Sequence, residues 1–525
     1  VRLFAMGGQA TLLKAISTIG GFTMISRVLG FARDILIASF LGASMVADVF
    51  FVAFKLPNFF RRLFAEGAFN AGFVPLFSRI YQQDGDRPAR EFAEQALSVL
   101  LLTLFMLVTL FQIFMPLVMN VLAPGFQGDT VKFDLAVDLT RLTFPYLMFI
   151  SLVSLMGGVL NSMGRFAAVA ATPILLNICL ISALLGFAQH LPTPGHALAW
   201  GVAAAGAVQF IWLLLALHRE GWHLKLRLPR LTPRVKELLI LMAPAAVGAG
   251  IVQINLVIDI ILASLLPEGS ISYLFYADRL NQLPIGVVGV AVGTALLPLL
   301  SRRIAAGDEA GAAQALNRAT EFSLLLALPA AMALVVIAEP LISVLFERGA
   351  FDAGASRATS YALMAYALGL PAYVLVKVLT PGFFARLDTK TPVRIALIAL
   401  AVNLVLNVAL MIPFKHAGLA LATAISAWVN VWLLYSTLRR RGHFPVDARL
   451  ASRLRKTVIA ASIMGGGLFL GHKQLLVWLE GDTLVRSGAL ALLVLGGMVL
   501  YGLAIQITGA ARLSELKSQL RGSGS

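Results

Sequence analysis

The sequence predicts an all-α polytopic membrane protein of about 14 transmembrane helices, and three observations carry that reading. Of the 525 residues, 59% are hydrophobic and only 13% charged, where a soluble domain is nearer half apolar and about a quarter charged. Mean hydropathy is +0.86. The apolar stretches are long enough to cross a hydrocarbon core of roughly 30 Å, which takes about 20 helical residues. They are Leu/Ala/Val/Ile blocks without the alternation of a transmembrane strand, so the spans are helices rather than a barrel.

In chain order the spans are expected near 12–41, 45–80 (kinked), 92–122, 136–163, 168–189, 196–218 and 237–266. They continue near 271–301, 315–346, 358–385, 392–413, 417–439, 456–477 and 485–508. Several exceed the length needed to cross, which implies tilt, bends or protrusion into water. Residues 1–10 and 522–525 read as appended segments, and the first apolar stretch is too long for a cleavable signal peptide. The lone Cys179 lies in an apolar span, which excludes a disulfide framework and a thiolate metal cluster.

A net charge of +16 invites a nucleic-acid partner. The distribution of the charge excludes one, because the basic residues sit in short loops between spans. About 26 of them fall on one side of the predicted topology against about six on the other. By the positive-inside rule that places both termini in the cytoplasm.

An internal repeat is readable. DILIAS from Asp34 matches DIILAS from Asp259 at a spacing of 225, and PLFSR from Pro75 matches PLLSR from Pro298 at 223. Thr172-Pro173 pairs with Thr391-Pro392 at 219, His196 with His416 at 220, and Gly221 with Gly442 at 221. Spans 1–6 and 7–12 are therefore two homologous six-helix lobes, expected at 12–220 and 221–442, with two extra helices in 443–510. An even number of spans per lobe makes the repeat parallel, an arrangement that flanks a central substrate site in transporters.

The spans also carry charges that hydrocarbon penalises. The first lobe holds Arg27, Arg33, Asp34, Asp48, Lys55, Arg61, Arg62 and Glu66. In equivalent helices the second lobe holds Asp259, Asp278 and Arg279, with Lys377 in the tenth span. Each charge at the membrane centre costs roughly 2.5–3.5 kcal/mol, so these groups line a hydrated cavity or pair with one another. Arg27 and Asp34 are seven apart and share a helical face, while Arg33 points about 120° away. A bend at Gly30 would bring both arginines to one cavity. Asp48, Lys55 and Arg62 recur at intervals of seven along one stripe, and Pro57 interrupts that helix. An excess of arginine suits phosphate oxygens, a pyrophosphate above all.

A second constellation joins Asp259 to Asn403, Asn407 and Thr423, hard oxygen donors that suit Na⁺ or another coupling cation. The competing reading is of polar side chains bonding between helices. No enzyme constellation is visible: there is no phosphate-binding loop, zinc spacing or Ser/His/Asp set, and no resident cofactor is expected.

SRVLGFARD from Ser26, DVFFVAFKLPNFFRRLFAEGAFNAGFVP from Asp48, and YADRL with GVAVGTALLPLLS resemble the MurJ (MviN) lipid II flippases of the MOP transporter superfamily. The resemblance spans about 12–508. It implies export of undecaprenyl-pyrophosphate-linked disaccharide-pentapeptide from the inner to the outer leaflet of the bacterial cytoplasmic membrane, by alternating access through an arginine-lined central cavity. It also implies that Ser26, Arg27, Arg33, Asp48, Arg61 and Arg279 are cavity residues, and that spans 13 and 14 form a groove for the polyprenyl tail. With Asp34, Lys55 and Asp278 these complete the expected substrate-binding set. Membrane lipids and cell-wall synthesis proteins are the other expected partners. Gln282 stands where some relatives carry an acidic residue. The alternative reading is a superfamily exporter of another lipid-linked oligosaccharide or of drugs.

Overall fold

The computed structural model describes residues 2–63 and 69–510, without the side chains of 2–16, 71, 245, 247–249, 251, 252, 287–291, 293 and 294. The described elements are helices joined by short turns and one extended linker. They form two compact units, Val1–Gly269 and Ser270–Ser525.

The first unit contains α1 (Arg2–Leu41), α2 (Met45–Phe60), α3 (Asn70–Gln83), α4 (Asp86–Ile113) and α5 (Met115–Leu122). A 3₁₀ turn (Pro124–Gly128) leads to α6 (Thr130–Thr143), α7 (Tyr146–Ser162), α8 (Phe166–Phe187), α9 (Pro194–Arg219) and α10 (Pro233–Ser264). Helix α1 packs on α8, α2 on α6, and α9 on α7 and α8. Rings of Phe69, Phe73, Phe77 and Phe92 stack at centroid distances of 4.9–5.5 Å and are closed off by Trp222. The sequence repeat turns over at 220/221, whereas the compact unit runs on to Gly269 because α10 packs on α3, α4 and α5.

The second unit contains α11 (Ser270–Ala305), α12 (Glu309–Val336), α13 (Ala338–Phe346), α14 (Ala353–Phe384) and α15 (Lys390–Arg440). Helices α16 (Ala448–Gln474), α17 (Leu476–Leu479) and α18 (Thr483–Thr508) follow. Helix α14 is the hub, touching α11, α12 and α15, while α16 bridges α12 and α18. Two predicted spans meet inside α15, where Lys415 breaks the helix at φ 51°, ψ −131°. The chain then returns so closely that a Cβ on Gly418 would lie 2.2 Å from the Leu410 carbonyl oxygen, so only glycine fits.

Eight helical stretches among the described residues are long and apolar enough to cross a membrane. The predicted spans outside that set include α1, α2 and α11, which carry the interior charges. The expected kink at Pro57 takes a milder form: α2 continues through it to Phe60, followed by a π turn at 61–63. Proline leaves the carbonyl four residues back without its helical donor. Here Thr143 Oγ1 donates to the Ala53 carbonyl at 2.9 Å, and Asn58 Nδ2 to that of Phe54 at 2.7 Å. At Pro173 the same repair comes from Thr172 Oγ1, which reaches the Val169 carbonyl at 2.8 Å. In hydrocarbon, where no water substitutes, such repairs decide where proline is tolerated. Glu66 and most of AEGAF lie outside the described residues.

The repeat reappears as local geometry. On α4, Glu94 accepts from the Lys225 N–H at 3.1 Å and Arg227 Nε at 2.5 Å, while Ser98 Oγ accepts from the Arg227 N–H at 3.0 Å. Their counterparts 223 residues on are Asn317 and Glu321 of α12, which hold the segment after α15 in the same manner. Asn317 Nδ2 donates to the Pro445 carbonyl at 2.9 Å, and Glu321 pairs with Arg453 at 2.8 Å and Arg449 at 3.3 Å. Arg165 pairs with Glu220 at 3.0 Å, and the equivalent pair 223 and 221 residues on, Asp388 with Arg441 at 2.7 Å, has its charges exchanged. Each pair follows a left-handed residue, Gly164 (φ 76°) or Leu387 (φ 59°).

Two outcomes follow, both read by thermal unfolding in detergent. Leu387 is 91% exposed and holds a conformation that costs a side-chain-bearing residue about 1 kcal/mol, so Leu387→Gly raises the unfolding temperature while Gly164→Leu lowers it. Donation from Arg441 and Thr391 holds the Asp388 carboxyl well below its ordinary value of 3.8. A depressed carboxyl stabilises the fold above its unfolded pKa and loses that contribution as pH falls through the folded one. Asp388→Asn therefore removes part of the acid-induced loss of stability below about pH 4 and changes its slope little near neutrality.

Candidate functional site

The charges of the first unit divide into those the fold neutralises and those it leaves at the surface. Arg33 is 7% exposed and its guanidinium folds back onto its neighbour, Nη2 and Nε donating to Asp34 Oδ1 at 2.7 and 3.0 Å. Its Nη1 crosses to α8 and donates to Asn177 Oδ1 at 2.9 Å. The amide of Asn177 returns to α1 and donates to the Ser26 carbonyl at 3.0 Å. Helix α1 continues through Gly30 without a break, and Asn177 of α8 comes alongside it there, its Nδ2 at an ordinary contact distance of 3.5 Å from where a Cβ would lie. Arg27 is exposed and has no ion-pair partner among the described residues. The two arginines of SRVLGFARD therefore have separate surroundings.

A second polar cluster centres on Asp48, 2% exposed in the first turn of α2. Its Oδ2 accepts from the Gly269 N–H at 2.8 Å and lies 3.8 Å from Lys132 Nζ. Lys132 is itself buried, with its ammonium 4.4 Å from the Phe126 ring centroid. Beside it Glu268 Oε1 accepts from the Met45 N–H at 2.6 Å. Asp48 thus fastens α2 to the start of α6 and to the end of the segment after α10. Lys55 is half-buried farther along the same stripe, and Arg62 is exposed. Arg61 Nε donates to Asn58 Oδ1 at 3.0 Å.

In the second unit Arg279 lies over the Phe275 ring at 4.5 Å, and Asp278 accepts from Gln282 one turn on. Gln282 is thus one hydrogen-bond partner of that aspartate. Asn407 Nδ2 donates to Asn403 Oδ1 at 2.9 Å, and Asn403 Nδ2 to Thr423 Oγ1 at 3.4 Å. The three form a ladder across the two halves of α15 in which Asn403 Oδ1 and Thr423 Oγ1 already accept hydrogen bonds. Asp259 stands on α10, in the first unit. Among the described residues no group of three His, Cys, Asp or Glu side chains is placed to hold a metal ion.

Sequence reasoning passed over Asn177 and Lys132. Asn177 was visible as an amide inside ILLNICLI, and Lys132 as a rare cation on the face otherwise poor in them. Glu94 was visible too, as a carboxylate at the edge of an apolar span.

The comparisons with known proteins agree with this architecture. The family model of lipid II flippase MurJ matches residues 37–487. The chain belongs to the MurJ lipid II flippase family. A probable lipid II flippase MurJ of Rhizobium tropici is 44% identical over 517 residues, covering 97% of each chain. A solved lipid II flippase MurJ in an inward closed conformation superposes with a TM-score of 0.78 at 27% identity, covering 93% of this chain and 98% of that one. An inward-facing multidrug resistance MATE transporter of the MOP superfamily shares the fold, with a TM-score of 0.66 at 14% identity over 81% of this chain and 98% of that one. The protein is thus a multi-pass bacterial membrane protein of a transporter family.

Removing one partner of a buried ion pair costs about 3–5 kcal/mol, because the other charge is left stranded. Asp48→Asn therefore lowers the unfolding temperature markedly, and adding Lys132→Met restores part of the loss. Arg33→Ala lowers it as well, whereas Arg27→Ala leaves it unchanged. A destabilised Arg27→Ala protein would show that Arg27 has a structural partner.

Proposed function

We propose that this chain carries lipid II from the inner to the outer leaflet of the bacterial cytoplasmic membrane without altering it chemically, with both termini in the cytoplasm. The observation that supports this reading most is the likeness to lipid II flippases, which runs the length of the chain. The site geometry adds a cation for the headgroup. Arg27 is held on a helix whose other interior charges, Arg33 and Asp34, offset each other, so a phosphate oxygen gains a charge-assisted bond there without breaking one. Arg279, laid over Phe275, is the matching candidate of the second unit. Arg33 and Asp48 act in this proposal as positioning residues that hold α1 and α2 in register.

Alternating access then exposes the bound headgroup to each side in turn. The membrane potential, inside negative, favours outward movement of net negative charge by about 2.3 kcal/mol per charge per 100 mV. A cation at the Asn403 ladder or at Asp259 is the proposed means of resetting the empty carrier, and replacing Na⁺ with K⁺ in a transport assay tests it.

Hydrogen bonds to charged groups contribute about 1.5–3 kcal/mol. Arg27→Ala and Arg279→Ala are therefore expected to slow lipid II translocation on the order of tenfold or more at equal expression, and Arg27→Lys to restore part of the rate. Unchanged translocation in both alanine variants would overturn the assignment of these cations to the headgroup.

A further inference from the structure

The linker between α9 and α10 has a surface the transport reading does not use. Residues 222–232 are not helical, and the segment is held along α4 by Glu94 and Ser98. Its sequence, HLKLRLPRL from His223, alternates leucine with basic residues. The backbone N–H groups of Lys225 and Arg227 donate to α4, and Leu226, Leu228 and Leu231 are left 68%, 76% and 57% exposed. Of the five cations from Lys225 to Lys236, Arg227 is neutralised by Glu94 and Arg234 by Asp84. Lys225, Arg230 and Lys236 are without an ion-pair partner among the described residues.

This basic rim adjoins an apolar cleft. Val235, Leu238, Leu239 and Met242 of α10, with Leu100 and Leu104 of α4, border a cleft of about 180 Å³ within the first unit. The nearby hydroxyls of Thr103 and Ser151 are occupied, donating to the carbonyls of Val99 and Leu147. The rest of the lining is apolar, which suits a hydrocarbon guest. The neighbouring surface of α4 presents Leu102, Phe105 and Met106 outward, so the cleft borders the lipid-facing side of the helix.

We infer that this corner of the first unit binds an anionic phospholipid of the surrounding bilayer. Lys225, Arg230 and Lys236 receive the phosphate headgroup, and Leu226, Leu228 and Leu231 lie at the boundary of headgroup and acyl chain. One acyl chain enters the cleft beside Leu238. The charge selects the occupant: three uncompensated cations favour an anionic over a zwitterionic headgroup. The bound lipid is a resident of the membrane and is not the transported substrate.

The test is native mass spectrometry of the purified full chain in detergent, titrated with phosphatidylglycerol, phosphatidylcholine of the same chain length, and undecaprenyl pyrophosphate. Phosphatidylglycerol is expected to bind more tightly than phosphatidylcholine. Combining Lys225→Gln, Arg230→Gln and Lys236→Gln weakens phosphatidylglycerol by about fivefold per cation and leaves phosphatidylcholine unchanged. Leu238→Trp, which fills the cleft, weakens both phospholipids; the surface triple variant keeps the test decisive where the tryptophan variant does not fold. Equal binding of the two phospholipids, or phosphatidylglycerol affinity unchanged in the triple variant, overturns the inference. So does a loss confined to undecaprenyl pyrophosphate, which would make this a substrate site.

Discussion

Charge that enters a membrane helix must be neutralised within reach, and the first unit is arranged around that requirement. An unpaired charge at the membrane centre costs roughly 2.5–3.5 kcal/mol, so a helix carrying several needs partners before it has a stable place. Arg33 meets it with Asp34 one residue away and Asn177 across the α1–α8 contact. Asp48 meets it with Lys132 and the backbone of Gly269. Both solutions fasten helices that are distant in sequence, so the groups that are expensive to bury also fix where α1, α2, α6 and α8 lie. A buried pair contributes little net stability relative to apolar packing, yet it is costly to break. That asymmetry suits a positioning device.

The repeat shows which features of the scaffold depend on geometry rather than on residue type. Arg165–Glu220 and Asp388–Arg441 occupy equivalent places with opposite polarity, since Coulomb attraction is indifferent to which element carries which sign. The left-handed turn before each pair is a stricter demand. Gly164 meets it without strain, whereas Leu387 meets it only because the surrounding contacts hold the chain there. The linker clamp varies in a third way: Glu94 and Ser98 do with a carboxylate and a hydroxyl what Asn317 and Glu321 do with an amide and a carboxylate. In each case the place in the fold recurs while the residue that fills it changes.

The arginines of SRVLGFARD mark the limit of reading a site from spacing. Their shared segment and their divergent helical directions were visible, as was the penalty for leaving them in hydrocarbon. A single cavity reached through a bend at Gly30 was the expectation. The amide of Asn177 gives Arg33 a partner on α8, while Arg27 is exposed. Asn177 is 144 residues beyond Arg33, and no local periodicity links the two. Lys132 escaped for the same reason, since its position in a loop-like stretch says nothing about the carboxylate 84 residues earlier.

By itself the sequence determined the helical membrane class, the order of the helices, the break within α15 and the internal repeat of residues. Hydropathy sums along contiguous residues, and a bilayer acts on every span in the same way, so these features need no knowledge of neighbours. Only the tertiary structure decided which interior charges are satisfied, that α10 packs with the first unit, and that a basic linker lies beside an apolar cleft. Each of those depends on distances between elements far apart in the chain. Electrostatic and hydrogen-bond energies change over a few ångströms, a scale that composition and spacing do not record.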